Sequence, residues 1–298
     1  MPEEIQQLLG RSISSSERAE WGFQNRTDLV TLESGERVVV QRYRRREDAE
    51  YRVRVMRGLH EPAAASGIAI PRVRRADLDA DPPWVAFEAL PGEPIPAIGL
   101  DDPRFPGLAR AMGELLAAFR TLPTAGLDLD DRWADPLRLA THAADWTAEV
   151  PAARAVVEQI PQLFSGRPSV LAHGDFSPVN VLTDGTTLTG LLDFESVRLA
   201  DPLFDVAWWS WSVSFSPPGV LASAWREFLE AAAVDAGDPH LAARLHALQV
   251  LRMCELLAGD SLDGGVRTTV ADRLHRTLRD TPATPGTGGC RPSSKEDP

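Results

Sequence analysis

The chain has 298 residues, 43% of them hydrophobic, and a net charge of −12. That content supports a large core, as one big domain or two lobes, and the acidic balance argues against general nucleic-acid binding while mildly favouring cationic small molecules. No apolar run reaches the roughly 20 residues of a membrane span, and the acidic Met1-Pro2-Glu3-Glu4 lacks a signal-peptide core.

Two distant cysteines, Cys254 and Cys290, make neither a disulfide scaffold nor a metal cluster, so a cytoplasmic chain is expected. Residues 2–9 read as a short helix. Residues 21–31 and 36–43 read as strands around the turn Glu33-Ser34-Gly35-Glu36. Residues 47–66 read as an amphipathic helix with Ala49, Val53, Met56 and His60 along one side. Its arginines, Arg52, Arg54 and Arg57, are expected on a solvated face. Strands follow at 71–77 and 84–89, the second ending in Leu90-Pro91-Gly92.

From about 94 the pattern is helical. Leu108, Met112, Leu115, Leu116 and Phe119 recur at helical spacing over 105–122, and 133–160 reads as a further helical region. Helices are expected again at about 202–213, 220–236, 239–259 and 263–278. Residues 281–298 carry no apolar period and read as a disordered tail.

Between these helices lies the stretch that carries the chemistry. A short apolar run, Val170-Leu171-Ala172, ends in His173-Gly174-Asp175. Asn180 follows five residues after Asp175. A hairpin turning at Thr183-Asp184-Gly185 returns through Gly190-Leu191-Leu192 to Asp193-Phe194. Three oxygen-bearing side chains thus sit at the ends of short strands. Such ends hold groups in place and leave them open to a cleft. This suits phosphoryl transfer, which needs positioning and charge neutralisation more than covalent help. A kinase catalytic loop also places Asp and Asn five apart, with a later Asp-Phe as second metal ligand.

With Asp201-Pro202 and Asp205, the ordered set resembles the aminoglycoside phosphotransferase and choline kinase-like family. The resemblance implies an α+β, bilobal protein-kinase-like fold with a small β-rich N-lobe and a larger helical C-lobe. The expected division is a nucleotide-binding N-lobe over 1–90, a catalytic and acceptor-binding C-lobe over 91–280, and the tail. It implies Asp175 as catalytic base, Asn180 and Asp193 as Mg²⁺ ligands, and ATP or GTP as phosphoryl donor. Ser177 would touch the γ-phosphate. The backbone of Glu88 and Leu90 would meet the purine, with Phe87 behind it. His173 and Asp205 would brace the loop by hydrogen bonds.

The main departure from the family is a missing lysine; Gly is also absent after Asp193-Phe194, where Glu195 stands and the family often has an acid, and Ala200 replaces the Gly usually found before Asp-Pro. Lys295, its only lysine, lies in the tail, so the phosphate-binding lysine of a kinase is missing. Gln41 or Arg42 falls at its place. Arg42 is the expected substitute, because a guanidinium is always charged and grips phosphate as a fork. The acid that partners that lysine is equally displaced: its place falls to Arg52, with Glu50 nearby.

The acceptor is expected to be a small hydroxylated molecule of antibiotic type, with no nucleic-acid or membrane partner. Glu195, Asp201 and Asp205 would attract a cationic one. Trp208, Trp209 and Trp211 share one helix and cannot all face one way, so Trp208 or Trp209 is a candidate flat surface for a sugar; all three in the core is the competing reading. Two alternatives stand beside this function: a kinase of a primary metabolite such as choline or homoserine, and a nucleotide-binding pseudokinase. A protein kinase fits poorly, because only seven residues separate Asp193 from Asp201.

Overall fold

The computed structural model describes residues 9–18, 25–217, 219–259, 262 and 264–279. All but the last residue of the helix expected at 2–9, the first four residues of the strand expected at 21–31 and the tail at 281–298 lie outside the described residues.

The first five strands make one antiparallel sheet. β1 (Ile13–Arg18), β2 (Arg26–Leu32) and β3 (Arg37–Arg42) form a meander. The chain then crosses through helix α1 (Arg46–Ala65) to β4 (Val73–Asp77) and β5 (Trp84–Glu88), giving the order β1-β2-β3-β5-β4. Both faces of this sheet are covered. Val30, Leu32, Val38, Val40, Trp84 and Ala86 form a small cluster on one face. The other face packs Val39, Val85 and Phe87 against Ala49, Val53, Met56 and Leu59 of α1, and this core runs on into the rest of the chain.

The remainder is mostly helical. In chain order it contains β6 (Glu93–Pro94), α2 (Phe105–Phe119), β7 (Asp130–Trp133), α3 (Pro136–Trp146), α4 (Arg154–Phe164), β8 (Val170–Ala172), β9 (Val181–Thr183), β10 (Leu188–Leu191), β11 (Arg198–Ala200), α5 (Phe204–Val213), α6 (Val220–Ala231), α7 (Leu241–Ala258) and α8 (Gly264–Arg279). Two three-stranded sheets, β10-β9-β6 and β7-β11-β8, frame the stretch 170–205. The architecture is the expected bilobal kinase-like fold.

Two sequence expectations differ in detail. Residues 133–160 do not form one helical region. Asp130–Trp133 pairs in parallel with β11, and helix α3 starts only at Pro136, where Asp135 caps it by accepting from the N–H groups of Leu137 and Arg138. The polar strand β1, Ile-Ser-Ser-Ser-Glu-Arg, was not expected at all. After β5, Gly92 has φ 96°, and a Cβ there would lie 2.3 Å from Thr189 Oγ1. The Thr189 hydroxyl donates to the Pro91 carbonyl at 2.6 Å. The segment Pro91-Gly92 is therefore pressed against the hairpin that leads into Asp193.

Candidate active site

The site is built on strand ends. β8 stops at His173, whose ring is fully buried and packed among Phe119, Phe176 and Phe194. The Asp175 N–H donates to its Nδ1 at 3.4 Å, so Nε2 carries the hydrogen and donates to the Leu192 carbonyl at 2.8 Å. Burial also holds this imidazole neutral by pushing its pKa down. The neutral ring ties the loop carrying Asp175 to the strand that leads into Asp193. Asp205, at the start of α5, accepts from the backbone N–H groups of His173 and Gly174 at 2.8 and 2.9 Å.

Gly174 has φ 85°, and a Cβ there would lie 1.9 Å from the Ser196 carbonyl oxygen. The two loops touch main chain to main chain, which only glycine permits.

Asp175 and Asn180 meet directly. The Asn180 amide nitrogen donates to the Asp175 carbonyl and to its Oδ2 at 2.8 and 2.9 Å. The amide oxygen is thereby turned away from that carboxylate. The Asp175 Oδ1 accepts from the indole Nε1 of Trp208 at 2.5 Å. Asp193 stands in the left-handed region at φ 62° and keeps its carboxylate about two-fifths exposed. Its Oδ1 accepts from Arg52 at 2.9 Å.

Negative charge is in excess here. Burial, then the charge of Asp193, pushes the Asp175 carboxyl up to about 6, against the opposing effects of Arg252, Trp208 and Asn180. Glu195 rises to about 7 by burial and by Asp193, although Arg52 stands 4.0 Å away and Asn25 donates to it at 2.7 Å. Three carboxylates thus crowd the strand ends. Among the described residues no group of three or more His, Cys, Asp or Glu could by itself hold a metal ion. One exposed carboxylate, an amide oxygen and surplus negative charge nevertheless fit Mg²⁺, which is commonly held by one or two carboxylates together with substrate phosphates.

Other expected residues fall elsewhere. Arg42 is not in the cleft. It shares the far face of the sheet with Val38 and Val40, nearly buried, and donates to Asp28 at 2.6 Å. Strand alternation gives the cleft face to Gln41 and Tyr43 instead. The Tyr43 hydroxyl donates to Gln41 Oε1 at 2.8 Å, and Gln41 Nε2 donates to Thr27. The cation on the cleft side comes from the helix. Arg52 is not solvated: its side chain is 5% exposed, with its guanidinium 5.4 Å over the Phe87 ring. Its neighbours Arg54 and Arg57 are exposed.

Ser177 is buried, with its hydroxyl 3.5 Å from the Asp175 carbonyl. Glu88 ends β5 and pairs with Arg74 at 3.6 Å. Leu90 follows in the hinge and approaches Gly190, where a Cβ would meet its side chain at 2.5 Å.

The tryptophans do not offer an open face. Trp209 is fully buried and stacks on Phe228 with centroids 3.8 Å apart. Trp208 is 7% exposed and is committed to Asp175 and to a stack on Trp211. The acids expected to draw in a cation are also engaged. Asp201 pairs with Arg167 and accepts from the Leu203 N–H just ahead of α5. Asp205 is spent on backbone N–H groups.

Beneath Trp208 lies a buried ion cluster that spacing did not suggest. Glu255 of α7 accepts from Arg198 at 2.8 and 2.9 Å and from Arg252, with Arg132 at 3.3 Å and the Trp133 indole at 3.2 Å. The Arg252 guanidinium sits 5.8 Å over the Trp208 ring and donates to Ser196 Oγ at 3.1 Å.

This is the constellation of a kinase-like phosphotransferase: loop carboxylate, amide five residues on, and a second carboxylate one hairpin later. The chain belongs to the phosphotransferase enzyme family, whose model matches residues 16–239. It is similar to the aminoglycoside 3'-phosphotransferase of Streptomyces ribosidificus, 31% identical over 157 residues, which are 48% of this chain and 59% of that protein. The chain therefore spans little more than half the length of that curated relative. Among solved structures, the GDP complex of aminoglycoside 2'-phosphotransferase-IIIa superposes with a TM-score of 0.72 at 16% identity, covering 92% of this chain and 95% of its own. A thermostable mutant of aminoglycoside phosphotransferase APH(4)-Ia, in ternary complex with ADP and hygromycin B, gives 0.70 at 16% identity, covering 97% and 99%.

Proposed function

We propose that the protein transfers the terminal phosphoryl group of ATP or GTP to a hydroxyl of an antibiotic-like natural product. The observation that carries this reading is the convergence of Asp175, Asn180 and Asp193 on loops fixed main chain to main chain at Gly174. Family membership and the nucleotide and aminoglycoside named in the neighbours' complexes support it.

In the reaction, Asp175 orients the attacking hydroxyl and accepts its proton. Its two donors, Asn180 and Trp208, fix the carboxylate plane and leave further lone pairs for that proton. Asn180 and Asp193 would hold Mg²⁺, which supplies neutralisation of the developing charge on the phosphate oxygens. Arg52 provides the fixed positive charge on the N-lobe side that the absent lysine would have given. Phe87 lies under that guanidinium, and the hinge at Glu88 and Leu90 offers backbone groups to a base.

The test is a panel of aminoglycosides, macrolides, nucleoside antibiotics, choline and homoserine, each incubated with ATP or GTP and Mg²⁺. Product is scored by the mass gain of one phosphoryl group. Phosphorylation of an antibiotic, abolished in Asp175→Ala while nucleotide still binds, is the expected result. Phosphorylation of choline or homoserine alone would replace antibiotic inactivation with primary metabolism. Nucleotide binding with no turnover on any acceptor would make the chain a pseudokinase.

A further inference from the structure

We propose that Trp208 is a positioning residue for Asp175: its indole N–H fixes the orientation of the catalytic carboxylate, and the ring is not an acceptor platform. The inference rests on the phosphotransferase reading above. Its ground is geometric. The indole Nε1 donates to Asp175 Oδ1 at 2.5 Å, while Asn180 serves Oδ2 at 2.9 Å. A carboxylate held at both oxygens cannot rotate about its Cβ–Cγ bond, so its remaining lone pairs keep one direction.

The donor itself is immobile. The Trp208 ring stacks on Trp211 with centroids 4.3 Å apart and planes at 19°, and Arg252 stands on it. Arg252 is in turn held by Glu255 and Ser196. Three residues earlier on the same helix, Asp205 grips the His173 and Gly174 N–H groups. Residues three apart on a helix share a face, so one face of α5 holds the loop twice, at its main chain through Asp205 and at its reactive carboxylate through Trp208.

The choice of indole has a chemical logic. It donates and cannot accept, so it never competes for the hydroxyl proton. It is also neutral. A guanidinium in its place would bind the carboxylate as an ion pair and hold it in the charged form, making it a poorer base. Arg252, a buried cation, is kept behind the ring.

Trp208→Phe keeps an aromatic ring in the stack and deletes the N–H. The expected effect is a fall in kcat of about ten- to one hundredfold, with KM for nucleotide and acceptor within about twofold of wild type. Trp225→Phe is the control. Among the described residues the buried Trp225 N–H has no hydrogen-bond partner, its ring stacks on Trp209 and not on Trp208, and its loss should leave kcat unchanged. A kcat within about twofold of wild type in Trp208→Phe overturns the proposal, as does a loss of nucleotide affinity that matches the loss of rate.

A second readout needs neither folding of that variant nor an acceptor. In the indole N–H region of the ¹⁵N spectrum of the full chain, one downfield signal should move upfield in Asp175→Ala; eight unmoved signals would refute the hydrogen bond. If no acceptor on the panel is phosphorylated, the family reading of function fails separately, and nucleotide hydrolysis to water supplies the same kcat comparison.

Discussion

Replacing Glu255 by Gln tests the support beneath the catalytic loop. The carboxylate is nearly buried, and burial alone would raise its pKa. The guanidiniums of Arg198 and Arg252 overcome that and bring it from 4.5 down to about 2. At about 1.4 kcal/mol per pKa unit, the difference is worth about 3 kcal/mol. Breaking a buried pair while leaving its partner charged costs about 3–5 kcal/mol, in agreement. For a chain of this size, about 2 °C is lost per kcal/mol, so the melting temperature should drop by about 6 °C or more.

The pH dependence has a definite sign. The folded pKa is depressed, so the stabilisation is fully present above the ordinary value of 4.5 and disappears as pH falls through about 2. The gap between wild type and Glu255→Gln should therefore be the same at pH 7 and pH 6 and smaller at pH 4. Scanning calorimetry or urea titration at each pH reads it. A drop under about 2 °C, or a gap that ignores pH, would refute the argument.

Three further substitutions separate the remaining roles. Arg52→Met should weaken nucleotide binding about ten- to one hundredfold, the worth of a hydrogen bond to a charged group, read by calorimetric titration with Mg²⁺ present. Arg42→Ala should lower the melting temperature by several degrees, through the buried Asp28 it strips of a partner, and leave the nucleotide KM unchanged. Gly174→Ala should abolish transfer and destabilise the fold, because its Cβ meets the Ser196 carbonyl at 1.9 Å. Near-normal turnover in that variant would show that the two loops can part.

The fold of residues 170–194 was legible because it is local. Strand, Gly turn, Asn and hairpin lie within about 25 consecutive residues, and each carries its own turn chemistry. The strand Asp130–Trp133 was not legible, because two acids and an arginine become a strand only through pairing with β11, some 70 residues away.

The choice between Gln41 and Arg42 turned on strand parity. Parity is hidden when both faces of a sheet are covered, as they are here. Arg52 did leave a trace. Positions 49, 52, 53, 56, 59 and 63 make one stripe of helix α1, and all are buried, so an arginine stood in an otherwise apolar row. Asn25 left another. The chain has only two asparagines, and both donate to acids of the site. The Glu255 cluster left none, since its partners come from three separate segments.

The guanidinium of Arg52 also decides how this protein can be caught chemically. An ammonium that sheds its proton becomes a nucleophile, whereas a guanidinium stays protonated at any working pH. Acyl-phosphate derivatives of nucleotides mark kinases by acylating a lysine beside the phosphates. Here the chain's only lysine is Lys295, and no amine side chain stands among the described residues. A nucleotide bound as proposed would meet no lysine among the described residues, so labelling by such a reagent at the phosphates is expected to fail even where transfer is active.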